Sequence, residues 1–174
     1  MRRKIMLLVF LAMGIFISCN NKEVKKQKRA LAASVAHTKS YTADFVNDQY
    51  ADISYQIEAF KIGKERILKP ELKKYLEDNL EKLEQNRKRL KEIALKENIP
   101  LNEPKTYEKE LYKLTIADAK GFDDVFVLYY KEFLKTAIQK LTENDLEKNV
   151  VIDSFKNDYG KTLYEQKLYF DLLK

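Results

Sequence analysis

Few side chains in this 174-residue chain have the types and spacing that chemistry requires. Cys19 is the only thiol and His37 the only imidazole. A Ser-His-Asp triad would have to recruit His37, and the four glycines form no phosphate-cradling loop. A helical di-metal centre needs inward carboxylates together with Glu-x-x-His motifs, which neutralise the charge and supply imidazole donors. No Glu-x-x-His occurs in the chain, and what remains for an all-carboxylate site are acids such as Glu58 and Glu132. The competing reading places those acids on outer faces or beside lysines, because burying like charges is costly. Paired acids for glycoside hydrolysis are not recognisable from helical spacing alone. Eleven tyrosines are the remaining oddity. Tyr129, Tyr130, Tyr159, Tyr164 and Tyr169 could line a groove that stacks on a sugar or peptide, or pack at the rim of a helical domain with wet hydroxyls.

Cys19 has the most informative setting. Arg2, Arg3 and Lys4 precede the uncharged run Ile5 to Ile17. That run is shorter than the roughly 20 residues a spanning helix needs, so residues 1–18 read as a secretory signal. Ile17-Ser18-Cys19 resembles the bacterial lipobox, in which a small residue precedes the acceptor cysteine. The resemblance implies a diacylated thiol, cleavage just before Cys19 and an acylated new amino terminus. Acyl burial contributes ~0.8 kcal/mol per CH2, so several chains, palmitate among them, hold a protein on a membrane where one would be marginal. The competing reading is an incidental cysteine in a signal peptide. Once Cys19 carries lipid, the mature chain has no disulfide, no thiol nucleophile and no cysteine-bound metal. Asn20-Asn21 lacks the aspartate that retains lipoproteins in the inner membrane of enteric bacteria, so the outer membrane is expected, on its periplasmic face or at the surface.

The formal charge of +6 is unevenly distributed. Of 33 Lys and Arg, three lie in Arg2–Lys4 and six in Asn20–Lys39, which leaves 24 against 26 acids from Ser40 onward. The folded part is therefore near neutral, and the basic character belongs to residues 19–40. That segment reads either as a tether whose charges meet an anionic membrane at about 1 kcal/mol each, or as a disordered, solvated linker. The cluster Arg87-Lys88-Arg89 is interleaved with acids and reads as a solvated face, so no nucleic-acid partner is expected.

Residues 41–174 show apolar spacing of helical period and no sustained alternation, which predicts an all-α domain with one core. A first helix is predicted from Thr42 as N-cap, with Val46, Tyr50, Ile53, Ile57 and Phe60 inward. A second runs from Pro70 to about Glu97. Leu72, Leu76, Leu80, Leu83, Leu90 and Ala94 point inward, and Asp78-Lys82, Glu84-Lys88 and Glu92-Lys96 form outer pairs. Asn98 suits a left-handed cap before Pro100, while Asn79 and Asn86 could fix the register of a seam or simply sit beside it. After the irregular stretch Ile99–Lys105 comes a short extra helix over Tyr107–Ile116, then a third long helix over Phe122–Thr142. The third lines up Phe122, Phe126, Tyr129, Phe133, Ala137 and Leu141. A fourth starts at the Asn144/Glu147 capping box, with Val151, Phe155, Tyr159, Leu163, Gln166, Phe170 and Leu173 inward and a bend allowed at Gly160. Four such helices predict an antiparallel four-helix bundle.

Gln56-Ile57-Glu58-Ala59-Phe60-Lys61-Ile62-Gly63, Pro70-Glu71-Leu72-Lys73-Lys74-Tyr75-Leu76, Asn98-Ile99-Pro100 and Phe122-Asp123 with Phe126 fall without gaps on one pattern. It resembles that of a ferritin-like four-helix domain family of bacterial envelope proteins, often described as outer-membrane proteins and without an established activity. The resemblance covers most of Ala43–Lys174 and implies a ferritin-like fold and an envelope location. Where that family tends to carry Asp-His pairs, this chain has Lys82-Leu83 and Phe133-Leu134. Two functions of different class follow. One is a membrane-tethered helical module that binds an envelope protein, lipid or cell-wall component or has a structural role. The other is a ferritin-like metal-binding protein or metalloenzyme, weakened by the missing ligands. The first needs neither a cofactor nor catalytic residues, and its one site residue is the lipid acceptor Cys19.

Overall fold

The computed structural model describes the backbone of residues 2–103, 108–143 and 150–173, and within these the side chains outside 2–22, 37–38, 108–110 and 143. The regular elements are α1 (Arg2–Arg66), α2 (Pro70–Lys96), α3 (Glu108–Ile116), α4 (Phe122–Glu143) and α5 (Val150–Leu172). No strand occurs among the described residues, so the chain is all-α. It divides into two compact units, Met1–Ser40 and Tyr41–Lys174.

The expected helix start at Thr42 is corrected: α1 is continuous from Arg2, and Thr42 is buried within it. The reason is compositional. No Gly or Pro falls between Gly14 and Gly63, and Ala30-Leu31-Ala32-Ala33-Ser34-Val35-Ala36 is rich in the strongest helix former. The stretch 20–40 is helical throughout.

In the second unit, all five residues expected inward on α1 are essentially inaccessible, and Phe45, Gln49, Ser54, Tyr55, Gln56 and Ala59 join them. So broad a buried face means that α1 is covered on several sides. Tyr50 takes the Lys91 ammonium over its ring at 5.5 Å, and Asn47 Nδ2 donates to the Pro100 carbonyl at 3.2 Å. Lys140 bonds Asp52, Tyr55 stacks on Phe133, and Phe60 packs against Tyr130. Within the second unit, the first turns of α1 therefore meet late α2 and late α4, and its later turns meet earlier α4, so both run antiparallel to it. Helix α5 is antiparallel to both of these, since Tyr75 stacks on Tyr169, Arg89 reaches Asp158, and Phe126 meets Phe170. It follows that α2 and α4 run in the same sense, joined by the long stretch 97–121 that carries α3.

The ends of α2 are set by local chemistry. Pro70 occupies the first turn, where its missing N–H costs nothing. At the other end Asn98 adopts φ 54°, with Ile99 N–H bonded to Ala94 O at 2.8 Å and Asn98 N–H to Leu95 O at 3.3 Å. These are the two bonds of a Schellman cap, and buried Ile99 and Ala94 supply its apolar contact. The next residues are held by Asn47, whose Oδ1 accepts the Asn102 N–H at 2.7 Å, and by Tyr50, whose hydroxyl donates to Glu103 at 2.9 Å.

Two packing expectations are corrected, and the open one at Asn79 is decided. On α4 the innermost line runs through Tyr130 and Leu134, with Tyr129 and Phe133 half-buried beside them, because both adjacent pairs satisfy the same helical period. On α2, Asp78 pairs with Lys74 at 3.4 Å, the four-apart neighbour on its other side from Lys82. Asn79 donates to Tyr75 O of its own helix at 2.9 Å, not across a seam. The Asn144/Glu147 capping box lies outside the described residues.

Candidate functional site

The side chains of Cys19 and His37 lie outside those described; the backbone of both belongs to α1. The other residues singled out by sequence do not come together. Glu58 is partly exposed and pairs with Lys61 at 2.8 Å. Glu132 is exposed, and so the two do not share an interior site. Leu83 and Leu134, two positions that the sequence pattern compared with histidine, are fully buried apolar residues. Among the described residues no three His, Cys, Asp or Glu side chains gather closely enough to share a cation. The described residues do not fit a ferritin-like metal centre.

The tyrosines do not form a groove either. Tyr130 and Tyr159 are completely buried, Tyr169 lies flat on Tyr75 with ring centroids 3.5 Å apart, and Tyr164 is half exposed. Arg89 of the basic cluster is committed to the domain. It donates to Asp158 at 2.7 Å and to Ser154 at 2.9 Å, with its guanidinium 5.8 Å from the centre of the Phe155 ring.

What sequence reasoning missed is a polar cluster inside the domain, made by Gln56 of α1, Tyr130 of α4, and Tyr159 and Gln166 of α5. The Gln56 amide donates to the Tyr159 hydroxyl, and the Tyr130 hydroxyl donates to Gln56 Oε1 at 2.9 Å. Gln166 Oε1 lies 3.1 Å from the same Tyr130 hydroxyl, while its Nε2 is buried without a partner. One hydroxyl carries one proton and serves one acceptor well. Turning the Gln166 amide about its last bond resolves the conflict, because its N–H then donates to Tyr130. The sequence did hold a signal: Gln49 and Gln56, seven apart, interrupt the apolar face of α1, and Gln166 that of α5.

Burial pushes the phenols of Tyr130 and Tyr159 well above the ordinary tyrosine range; nearby Tyr159 adds to the shift at Tyr130, and Asp52 to that at Tyr159. Both hydroxyls stay protonated at physiological pH, so neither serves as a general base. The cluster is neutral and largely closed on itself. At its edge Asp52 is raised by burial, opposed by the Lys140 ammonium 3.1 Å away, with Asp48 raising it further.

Two polar groups hold the opposite end of the domain. The Arg66 guanidinium caps the end of α3, donating to the carbonyls of Leu114, Thr115 (3.1 Å) and Ala117 (2.6 Å), and lies 4.4 Å from the centre of the Phe122 ring. Buried Asp123 accepts the backbone N–H groups of Leu68 and Lys69, both at 2.9 Å. Lys69 is the N-cap position of α2, where its own side chain makes no cap, and Leu68 is the residue before it. In both places a side chain distant in sequence completes a helix terminus.

Among the described residues no helix is long and apolar enough to cross a membrane. No protein-family model, curated protein or solved structure matches this chain.

Proposed function

We propose that this protein is a bacterial lipoprotein, attached to a membrane of the cell envelope through acyl chains on Cys19, and that residues 41–174 are a binding or structural module. The observation that carries the reading is Ile17-Ser18-Cys19 placed directly after three basic residues and a short uncharged run. The same reading puts the protein in the outer membrane, on grounds of Asn20-Asn21, and its folded part among ferritin-like four-helix domains. The helix directions support that fold: α1 antiparallel to α2 and α4, α5 antiparallel to both, and one long crossover between α2 and α4 is the path of a ferritin-like bundle. A role as a module without a metal centre is supported by what fills the interior, where leucines and neutral amides and phenols stand in place of ligands.

The test is Cys19→Ala in the native host. The wild-type chain is expected in the membrane fraction with an N-terminal peptide heavier by its acyl groups. The variant is expected in the soluble fraction or as uncleaved precursor. Unchanged membrane partitioning together with an unmodified wild-type N-terminal peptide overturns the reading. A stoichiometric, tightly bound transition metal in the purified protein would overturn the assignment of the domain.

A further inference from the structure

The segment that follows Cys19 is a helix, and residues 23–36 are exposed on every side. It carries two kinds of side chain. Val24, Leu31 and Val35 are 43%, 67% and 59% exposed, and their spacing of seven and four puts them on one line of the helix. A solvated linker has no use for such a line. Around it stand Lys25, Lys26, Lys28 and Arg29, and among the described side chains of 23–36 Glu23 is the one acid. At 100° per residue Lys28 lies beside the apolar line, Lys25 on its flank about a quarter turn away, and Arg29 and Lys26 on the far side. The long stems of Lys25 and Lys28 can follow the apolar line while their charges reach past it.

We infer that this helical segment binds the surface of an anionic bilayer, with Val24, Leu31 and Val35 entering the headgroup boundary and the lysines on phosphate groups. The inference rests on the reading of Cys19 as the lipid acceptor, which brings a bilayer within a few residues of Val24. Charge complementarity selects the occupant: an excess of cations around an apolar line is the composition of an interfacial helix. Three apolar side chains would hold a free protein weakly. On a chain already anchored they decide instead whether the segment lies along the membrane or stands away from it.

The experiment uses the full lipidated protein in vesicles of phosphatidylcholine, alone or with about a third phosphatidylglycerol, with amide hydrogen exchange followed over residues 24–36. Exchange is expected to slow by about tenfold or more on the anionic vesicles. The protection should disappear in Lys25→Gln/Lys26→Gln/Lys28→Gln/Arg29→Gln and in about 0.5 M sodium chloride, where surface charges are screened. Leu31→Ser/Val35→Ser should reduce it on the same vesicles. Equal exchange on both compositions, with the protein still vesicle-bound and acylated, overturns the helix assignment and leaves the Cys19 reading standing. Protein that lacks the acyl mass and binds neither vesicle overturns both. Protection that grows with protein density at fixed lipid composition assigns the apolar line to a second copy of the chain and overturns the lipid assignment.

Discussion

Replacing Gly63 by alanine sets two effects of opposite sign against each other, and the geometry decides between them. In a helix interior Ala is favoured over Gly by about 0.5–1 kcal/mol. Yet a Cβ at Gly63 would stand 2.6 Å from Leu76 Cδ1 and 2.7 Å from Phe126 Cε2. Both neighbours are wholly buried and Phe126 is a rigid ring, so neither can swing outward. Overpacking of this kind costs about 1–3 kcal/mol. With two contacts shorter than real Cβ atoms make, the upper half applies, for a net loss of about 1–2.5 kcal/mol. Gly160 supplies the control. There the added Cβ would meet one flexible methyl, Leu141 Cδ2, at 3.2 Å, so Gly160→Ala is expected to be neutral or stabilising by up to about 0.5 kcal/mol. Urea unfolding followed by circular dichroism measures both. The double variant Gly63→Ala/Leu76→Ala should lose less than the sum of its single changes, because the shortened residue relieves part of the clash. If Gly63→Ala matches or exceeds the wild type, or if the two alanine variants shift together, the close approach of α1 to α2 and α4 is refuted.

Asp123→Ala should destabilise by about 1–2 kcal/mol by removing the cap on Leu68 and Lys69, whereas Asp124→Ala, next to it but exposed, should stay within about 0.5 kcal/mol. Equal effects in thermal melts would refute the capping role. Titration to alkaline pH should show phenolate absorbance in two phases, with Tyr130 and Tyr159 ionising only as the helices melt. The folded state keeps protons that unfolded tyrosines release near pH ~10, so this stabilisation is complete below that pH and lost as pH rises beyond it. A single absorbance phase finished before the helical signal falls would show these hydroxyls open to water.

The legible parts of the fold were those with punctuation in the sequence. Pro70, Asn98 and Pro100 bracket α2 because each acts on its own backbone, and its ends came within a residue of their positions. Thr42 misled for the converse reason: a capping residue marks a helix start only where something stops the helix before it, and nothing between Gly14 and Gly63 does. Period could not choose between Tyr129 and Tyr130 or between Phe133 and Leu134, since a line of apolar residues shifted by one has the same spacing. The grip of Arg66 on the end of α3 and of Asp123 on the start of α2 joins residues about 50 positions apart, and no local pattern encodes either. At the candidate site, the absence of Glu-x-x-His was plain from the residues. The polar cluster was legible only in part: Tyr159 and Gln166 were expected inward, but no local pattern pairs them with Gln56 and Tyr130 on other helices.

That cluster also bears on how the chain finds its fold. Rows of Leu, Ile and Phe at helical spacing look much the same after a slide of one turn, so apolar burial alone separates the correct alignment from its neighbours only weakly. Moving α1 by one turn, about 5.4 Å, would take Gln56 out of reach of both Tyr159 and Tyr130. Each buried group left unpaired would cost about 1–3 kcal/mol. The cluster thus widens the energy gap between one arrangement and its misaligned competitors, and its principal effect is on the states the protein does not occupy.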